Sequence, residues 1–193
     1  MRKIEKYYNN TESKKPRNNV QYFIDKVICK PGNAIELGCG AGNDTVYLIK
    51  NNWNVLAIDR ENVEERIAKR LNNEELEKFR FQKQNFENLE IERSNLIIAN
   101  YCLPFCNKDK FEELWNKIKI SILDKGYFVG NFFGLNDSWN EAETEKVFLS
   151  KKQVMELFKD FEIILSKEIE KDALTGLGKM KHWHIFDVIA KKK

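Results

Sequence analysis

Between Ala34 and Gly42 the chain reads Ala-Ile-Glu-Leu-Gly-Cys-Gly-Ala-Gly, a short apolar run that breaks straight into three glycines. Few sequences constrain a fold more tightly. Glycine lacks Cβ and accepts positive φ, so a strand ending this way can turn sharply and bring bare main chain against a ligand. The helix that follows, over Val46, Tyr47, Leu48 and Ile49, would present unpaired N–H groups to that ligand, with Asp44 as the predicted N-cap. A P-loop is excluded, because no Gly-Lys-Ser/Thr follows. The dinucleotide fingerprint G-x-G-x-x-G fails by one residue, since its third glycine position holds Asn43. That makes an NAD-dependent dehydrogenase a poor reading.

The rest of the chain supplies alternating elements at crossover spacing. Val20, Phe23, Ile24, Val27 and Ile28 form a helical stripe that Pro31-Gly32 ends. Strands are predicted at Ala34–Leu37, Val55–Ile58, Lys78–Gln84, Leu96–Ala99, Gly126–Phe133, Phe161–Leu165 and His184–Ala190. Helices fall at Val63–Leu71, Phe111–Ile122 and Val154–Phe158, and Asn51-Asn52 stops the one after the glycines. The pattern predicts an α/β doubly wound, Rossmann-like sheet of seven mostly parallel strands. The last two strands have no helix between them, which predicts an antiparallel hairpin at one edge. With 193 residues, no internal repeat and no linker-like segment, residues 1–193 read as a single domain. Its first 30 residues form an arm and a helix expected to cover the ligand site.

Composition narrows the function classes. Lys and Arg number 33 against 30 Asp and Glu, well mixed along the chain, which is not a nucleic-acid footprint. Mean hydropathy is −0.59, and no apolar run approaches the ~18–20 residues of a membrane span. The opening Met1-Arg2-Lys3-Ile4-Glu5-Lys6 is too polar for a signal peptide, so a cytoplasmic protein with four reduced cysteines is expected. Cys102 and Cys106 are spaced for core or loop thiols rather than for zinc. Oligomeric state is not legible in the sequence.

Asp59 closes the second strand about twenty residues beyond the first glycine, where a carboxylate can accept both hydroxyls of a ribose. The alternative role for it is to cap the following turn near Glu61. Glu36–Gly42 together with Val55–Asp59 resembles motifs I and II of class I S-adenosylmethionine-dependent methyltransferases. The resemblance runs over roughly the whole chain. Asn100-Tyr101-Cys102-Leu103-Pro104-Phe105 falls where motif IV sits, and Lys125-Gly126-Tyr127-Phe128 resembles the lead into the family's fifth strand. Phe132-Phe133-Gly134 and Lys181-His182-Trp183-His184 are similar to the small-molecule branch that includes tellurite-resistance-type and thiopurine-type enzymes.

That resemblance implies S-adenosylmethionine as cofactor and a site built position by position. The backbone at Gly38, Cys39, Gly40 and Gly42 would approach the methionine part and ribose. Glu36 would face the ammonium, Asp59 the ribose hydroxyls, Arg60 the adenine flank, and Asn85 and Phe86 the adenine edge and face. Asn100 and Tyr101 would lie beside the sulfonium methyl, and Arg17 would reach the cofactor carboxylate unless it is an ordinary surface arginine. A sulfonium methyl is already activated, so the protein needs chiefly to align nucleophile, carbon and sulfur, which is worth ~7–11 kcal/mol. A catalytic dyad is therefore not demanded, and no catalytic residue is assigned. Substrate-side candidates are Tyr101, Trp139, His182 and His184; Trp139 and the two histidines also admit plain packing roles. No metal is expected, because no cysteine or carboxylate stands at ligand spacing near the histidines.

The acceptor is a small molecule in this reading: a thiol, a metalloid oxyanion, or a hydroxyl or amine metabolite. Motif IV departs from the Asn/Asp-Pro-Pro-aromatic pattern of amino-methylating enzymes, with its one proline at 104, which weighs against base or glutamine methylation. The competing readings are an RNA methyltransferase, which should carry a basic stripe, and a nonenzymatic cofactor-binding regulatory module.

Overall fold

The computed structural model describes residues 2–28, 30–141 and 144–193. Eight strands form one sheet: β1 (Asn33–Leu37), β2 (Asn54–Asp59), β3 (Phe79–Lys83), β4 (Ser94–Ala99), β5 (Ile122–Gly134), β6 (Phe148–Leu149), β7 (Phe161–Leu174) and β8 (Met180–Lys192). Their order is β3-β2-β1-β4-β5-β8-β7, with the two-residue β6 parallel to the end of β5. Strands β1 to β5 pair in parallel, while β8 runs antiparallel to both β5 and β7. The doubly wound, mostly parallel sheet with an antiparallel terminal hairpin is thus the fold of this chain. The chain direction of the winding reverses between β1 and β4, and such a switch point leaves a crevice at the strands' carboxyl ends.

Helices cover both faces. On one face α6 (Phe111–Ser121) and α7 (Lys151–Leu157) bury Leu114, Trp115, Ile118 and Val154 against Ile97, Phe128, Phe132 and Phe186. On the other, α2 (Asn18–Tyr22) and α3 (Asn43–Lys50) set Val20, Leu48 and Ile49 against Leu96, Ile98, Val129 and Ile189. The even and odd residues of β5 divide between the two cores, as a strand buried on both faces requires.

Several boundaries differ from the sequence expectation. The Val20–Ile28 stripe is α2 followed by one wide turn over Phe23–Val27, in which the Ile28 N–H reaches the Phe23 carbonyl. Asp44 is not the cap of α3. Gly42 occupies that position at φ 76°, and Asp44 lies inside the first turn with its carboxylate turned toward α2. The edge strand β7 runs nine residues past the predicted Leu165, because its exposed, charged far half pairs with β8 along its length. The expected Val63–Leu71 helix is shorter, α4 (Glu64–Ala68), and a capping box at Asn72 and Glu75 starts an additional α5 (Asn73–Leu76). The N-terminal arm contains α1 (Lys3–Thr11), and Cys29 lies outside the described residues.

Candidate functional site: a glycine turn ringed by buried acids

The three glycines after β1 all adopt left-handed backbone, with φ of 63°, 56° and 76° at Gly38, Gly40 and Gly42. Each serves a different neighbour. A Cβ at Gly38 would overlap the side chain of Cys102, in the loop after β4, and one at Gly42 would overlap Ile67 of α4. Gly42 therefore does the close helix packing that the dinucleotide fingerprint assigns one position later. At Asn43 the side chain instead donates to the Thr11 carbonyl and accepts from Arg70. Gly40 faces open space, its nearest side-chain neighbour being Tyr7 at 4.0 Å. Of the three, only Gly40 leaves room for a ligand directly over the main chain.

Around this turn stand three buried carboxylates, Glu36, Asp44 and Asp59. Asp59 accepts from the Gly40 N–H at 2.8 Å on one oxygen and from the Glu61 N–H at 3.0 Å and the Tyr8 hydroxyl at 3.2 Å on the other. Asp59 thus caps the turn at Glu61, the alternative role, while its other oxygen faces the glycines. Glu36 accepts from the Thr45 hydroxyl, and burial pushes its carboxyl well above the usual carboxylate range, with the neighbouring Asp44 adding to the rise. Burial likewise raises Asp44, against hydrogen bonds from the Arg17 N–H (2.7 Å) and the Asn100 amide (3.2 Å). None of the three acids forms a salt bridge among the described residues.

Other predicted residues fall into place around the crevice. Asn100 sits in an amide network with Asn19 and Asn131, and Asn131 also takes the Tyr101 N–H at 2.8 Å and donates to Asp187. Tyr101 has φ 55°, and its ring carries the Arg17 guanidinium 4.3 Å from the centroid. Arg17 thus lies at the crevice rather than on a remote surface. Arg60 lines a cavity of about 550 Å³ together with Phe105, Cys106, Trp139 and Lys146. Asn85 is exposed, and Phe86, half-buried, packs on the core below it. Cys39, Cys102 and Cys106 are free and buried, as core thiols, with burial raising each.

The N-terminal arm, expected to be irregular or partly helical, holds α1, but no site role was expected of its tyrosines. Tyr8 reaches Asp59, and Tyr7 is enclosed between the glycine turn and the β7–β8 tip, where a Cβ on Gly176 would strike its ring. Arg66 of α4 holds the helix through Glu5 and Glu12. A Tyr-Tyr pair in a polar arm is a faint signal at best. Asp137 was equally hidden. It forms a fully buried ion pair with Lys181, whose side chains are 0% and 2% exposed.

His182 and His184 share one face of β8, as their spacing predicts, but the expectation that no carboxylate lies near them fails. Register with β7 places Glu170 opposite His184 and Asp172 opposite His182. Ligand atoms of Glu168, Glu170 and His184 lie within 4.8 Å of one another. The chemistry nonetheless disfavours an ion there. Nδ1 of His184 accepts the Asn136 N–H at 3.1 Å, so the proton sits on Nε2 and is donated to Glu168 at 3.1 Å. A metal-ligating histidine needs the opposite arrangement, with its second nitrogen donating. His184 packs on Phe186, in the core beneath α6 and α7, and His182 bonds to Asp172 and Glu170 of β7.

Residues 2–165 match the family described as "Tellurite resistance protein TehB". The chain belongs to the TehB family. No curated protein sequence matches it. Among solved structures it is similar to TehB from Haemophilus influenzae, with TM-score 0.76, 18% identity and 97% of this chain covered. It spans 66% of that protein's chain. It also resembles the 1,6-didemethyltoxoflavin-N1-methyltransferase of Burkholderia thailandensis, solved with 1,6-didemethyltoxoflavin and S-adenosylhomocysteine, at TM-score 0.69 and 20% identity over 91% of this chain and 77% of the other. N-methyltransferase NodS from Bradyrhizobium japonicum WM9, in complex with S-adenosylhomocysteine, matches at TM-score 0.69 and 12% identity over 98% and 96%. At these identities the likeness establishes a methyltransferase fold. Among the described residues no helix is long and apolar enough to cross a membrane.

Proposed function

We propose that this TehB-family chain is an S-adenosylmethionine-dependent methyltransferase that modifies a small molecule. The observation that carries the reading is the trio of buried acids around a glycine turn with open space above Gly40. Burial disfavours the charged forms of Glu36 and Asp44, at a cost that a bound cation offsets. A ligand that brings an ammonium and two vicinal hydroxyls answers that cost: the ammonium toward Glu36 and Asp44, the hydroxyls toward Asp59. The site's chemistry fits the nucleoside of S-adenosylhomocysteine, which the similar toxoflavin-methyltransferase and NodS structures hold.

When bound, S-adenosylmethionine supplies a methyl group whose sulfur leaves as a neutral thioether. The residues of the chain have simpler tasks. The Gly40 N–H, the Glu61 N–H and the Tyr8 hydroxyl fix the orientation of the Asp59 carboxylate beside the crevice. Asn131 clamps Asn100 and the Tyr101 backbone at the boundary between cofactor and acceptor. Arg17 rests on Tyr101 within reach of a carboxylate, while Arg60, Asn85 and Phe86 flank the adenine end. Helix α1 covers the glycine turn and keeps water out, the role we give residues 1–30 of a single 193-residue domain acting in the cytoplasm. Near-balanced charge argues against an RNA acceptor.

Calorimetric titration with S-adenosylhomocysteine, followed by a screen for radiolabelled methyl transfer into fractionated metabolite extract, tests the proposal. We expect one saturable site and a labelled small-molecule product. Absence of binding would overturn it; binding with label only in RNA would replace the acceptor class, and binding with no product would leave a regulatory module.

A further inference from the structure

Resting on that reading, we propose that Arg66 of α4 is a positioning residue: it latches α1 over the donor site and so sets how fast the donor enters and its by-product leaves. The guanidinium holds α1 at three points. It pairs with Glu12, with Glu5 at 3.3 Å and with the Asn9 side chain at 3.0 Å. Lys69, just after α4, adds a second contact to Glu12 at 3.0 Å. Arg66 also stands 5.8 Å from the centre of the Tyr8 ring, whose hydroxyl reaches Asp59. One side chain thus joins α4, α1 and the acid proposed for the ribose. The Arg66 and Glu12 side chains are 18% and 22% exposed, so water screens the pair only in part. Against the rise that burial brings, Lys69 and Arg66 hold the Glu12 carboxyl below the ordinary carboxylate range.

Three features make α1 a strap that opens rather than a fixed wall. At nine residues it is shorter than the ~12–15 that an isolated helix needs in water, and Arg2 before it provides no side-chain cap. Its order therefore depends on its seat. The seam it makes with α4 is incompletely filled: Glu5, Tyr8, Val63, Arg66 and Lys69 line a cavity of about 420 Å³ there. Beyond Thr11, the exposed Ser13, Lys14 and Lys15 lead to Arg17, whose N–H is fixed on Asp44, and this short link can act as the hinge. The strap also reaches the β7–β8 tip, where Asn10 donates to the Gly176 carbonyl at 3.2 Å and Gly176 lies against Tyr7. Seated in this way, α1 spans the crevice from α4 to the hairpin, with Tyr7 over Gly40. A nucleoside laid over Gly40 would lie beneath Tyr7, so it passes in or out only when the strap lifts.

The latch pairs form without the donor, so they favour the closed strap equally in the empty and the loaded site. Weakening them therefore changes rates and not the equilibrium. The test follows S-adenosylhomocysteine binding to the full chain by surface plasmon resonance. Arg66→Met should raise the association and dissociation rates together by about tenfold and leave Kd within about threefold. Glu12→Gln should move both rates the same way by a smaller factor, and it decides the matter if Arg66→Met does not fold. In the unaltered chain, raising ionic strength from about 0.05 M to about 0.5 M should speed both rates, a response that Arg66→Met should lack. A merely structural role for Arg66 would raise dissociation alone and weaken Kd in proportion. That result, or rates that stay the same in the variants or with salt, overturns the inference while S-adenosylhomocysteine binding leaves the methyltransferase reading standing. If the unaltered chain does not bind S-adenosylhomocysteine, both fall together.

Discussion

The two halves of the crevice solve opposite electrostatic problems. On the β1–β2 side, Glu36, Asp44 and Asp59 are buried without salt bridges, held by hydroxyls, amides and main-chain N–H groups. On the β5–β8 side, the buried charges of Lys181 and Asp137 cancel each other within aromatic walls. The first half holds carboxylates with no ion-pair partner among the described residues; the second holds a neutralised pair. On the proposed reading, the first half recognises its ligand through charge, whereas the second has no uncancelled buried charge to offer.

The largest effect should come where a side chain takes the ligand's own space. Gly40→Val should abolish S-adenosylhomocysteine binding in calorimetry; no neighbour lies closer than 4.0 Å to the new Cβ, but the left-handed backbone at φ 56° strains the side chain, so a urea unfolding curve must accompany it to show a folded variant. Tight binding by that variant would erase the distinction between the halves on the donor side. Next in size, Lys181→Met strands the Asp137 carboxylate in the core and should cost about 3–5 kcal/mol in urea unfolding. Its S-adenosylhomocysteine affinity should not change; a parallel loss would show that the halves are one unit. Asp59→Ala should weaken S-adenosylhomocysteine by about 1–3 kcal/mol, the scale of a hydrogen bond to a charged group.

Tyr8→Phe removes one of the groups orienting Asp59 and should cost about 0.5–1.5 kcal/mol of cofactor-product affinity. A value near zero would leave α1 as a mere cover. The smallest effect belongs to the hairpin surface, where His182 bridges Asp172 and Glu170 and these carboxylates raise its pKa above the usual value. Because the folded value lies above the unfolded one, of about 6.5, the imidazolium's contribution is full below that pH and fades as pH rises through the folded value. His182→Gln should flatten the slope of Tm against pH in that window, and only at low salt, since the group is exposed.

Much of the donor side was legible because it depends on residues close in sequence. Strand, glycines and acid follow one another, and the backbone conformation each glycine must adopt is a local property. That Gly42 also makes room for Ile67 of α4 appears only in the packed structure. Asp44 illustrates a second kind of failure: its helix-start signature is sound, yet a tertiary partner, the Arg17 N–H, captured the carboxylate. The surroundings of the histidine pair were hidden for a third reason. Strand alternation correctly placed both side chains on one face, but which face, and which carboxylates stood opposite, depended on a pairing register with β7 that no local signal sets.

The amino-acid order by itself determined the winding of the sheet, the crevice at its switch point and the acid that closes it, because hydrophobic period and glycine backbone freedom act within a few residues along the chain. Only the tertiary structure decided that Tyr7 and Tyr8 fold back over the glycines and that Lys181 finds Asp137. Those contacts join segments far apart in the chain, as in Lys181 with Asp137, 44 positions, and Tyr8 with Asp59, 51. Their geometry is set by how the packed layers meet.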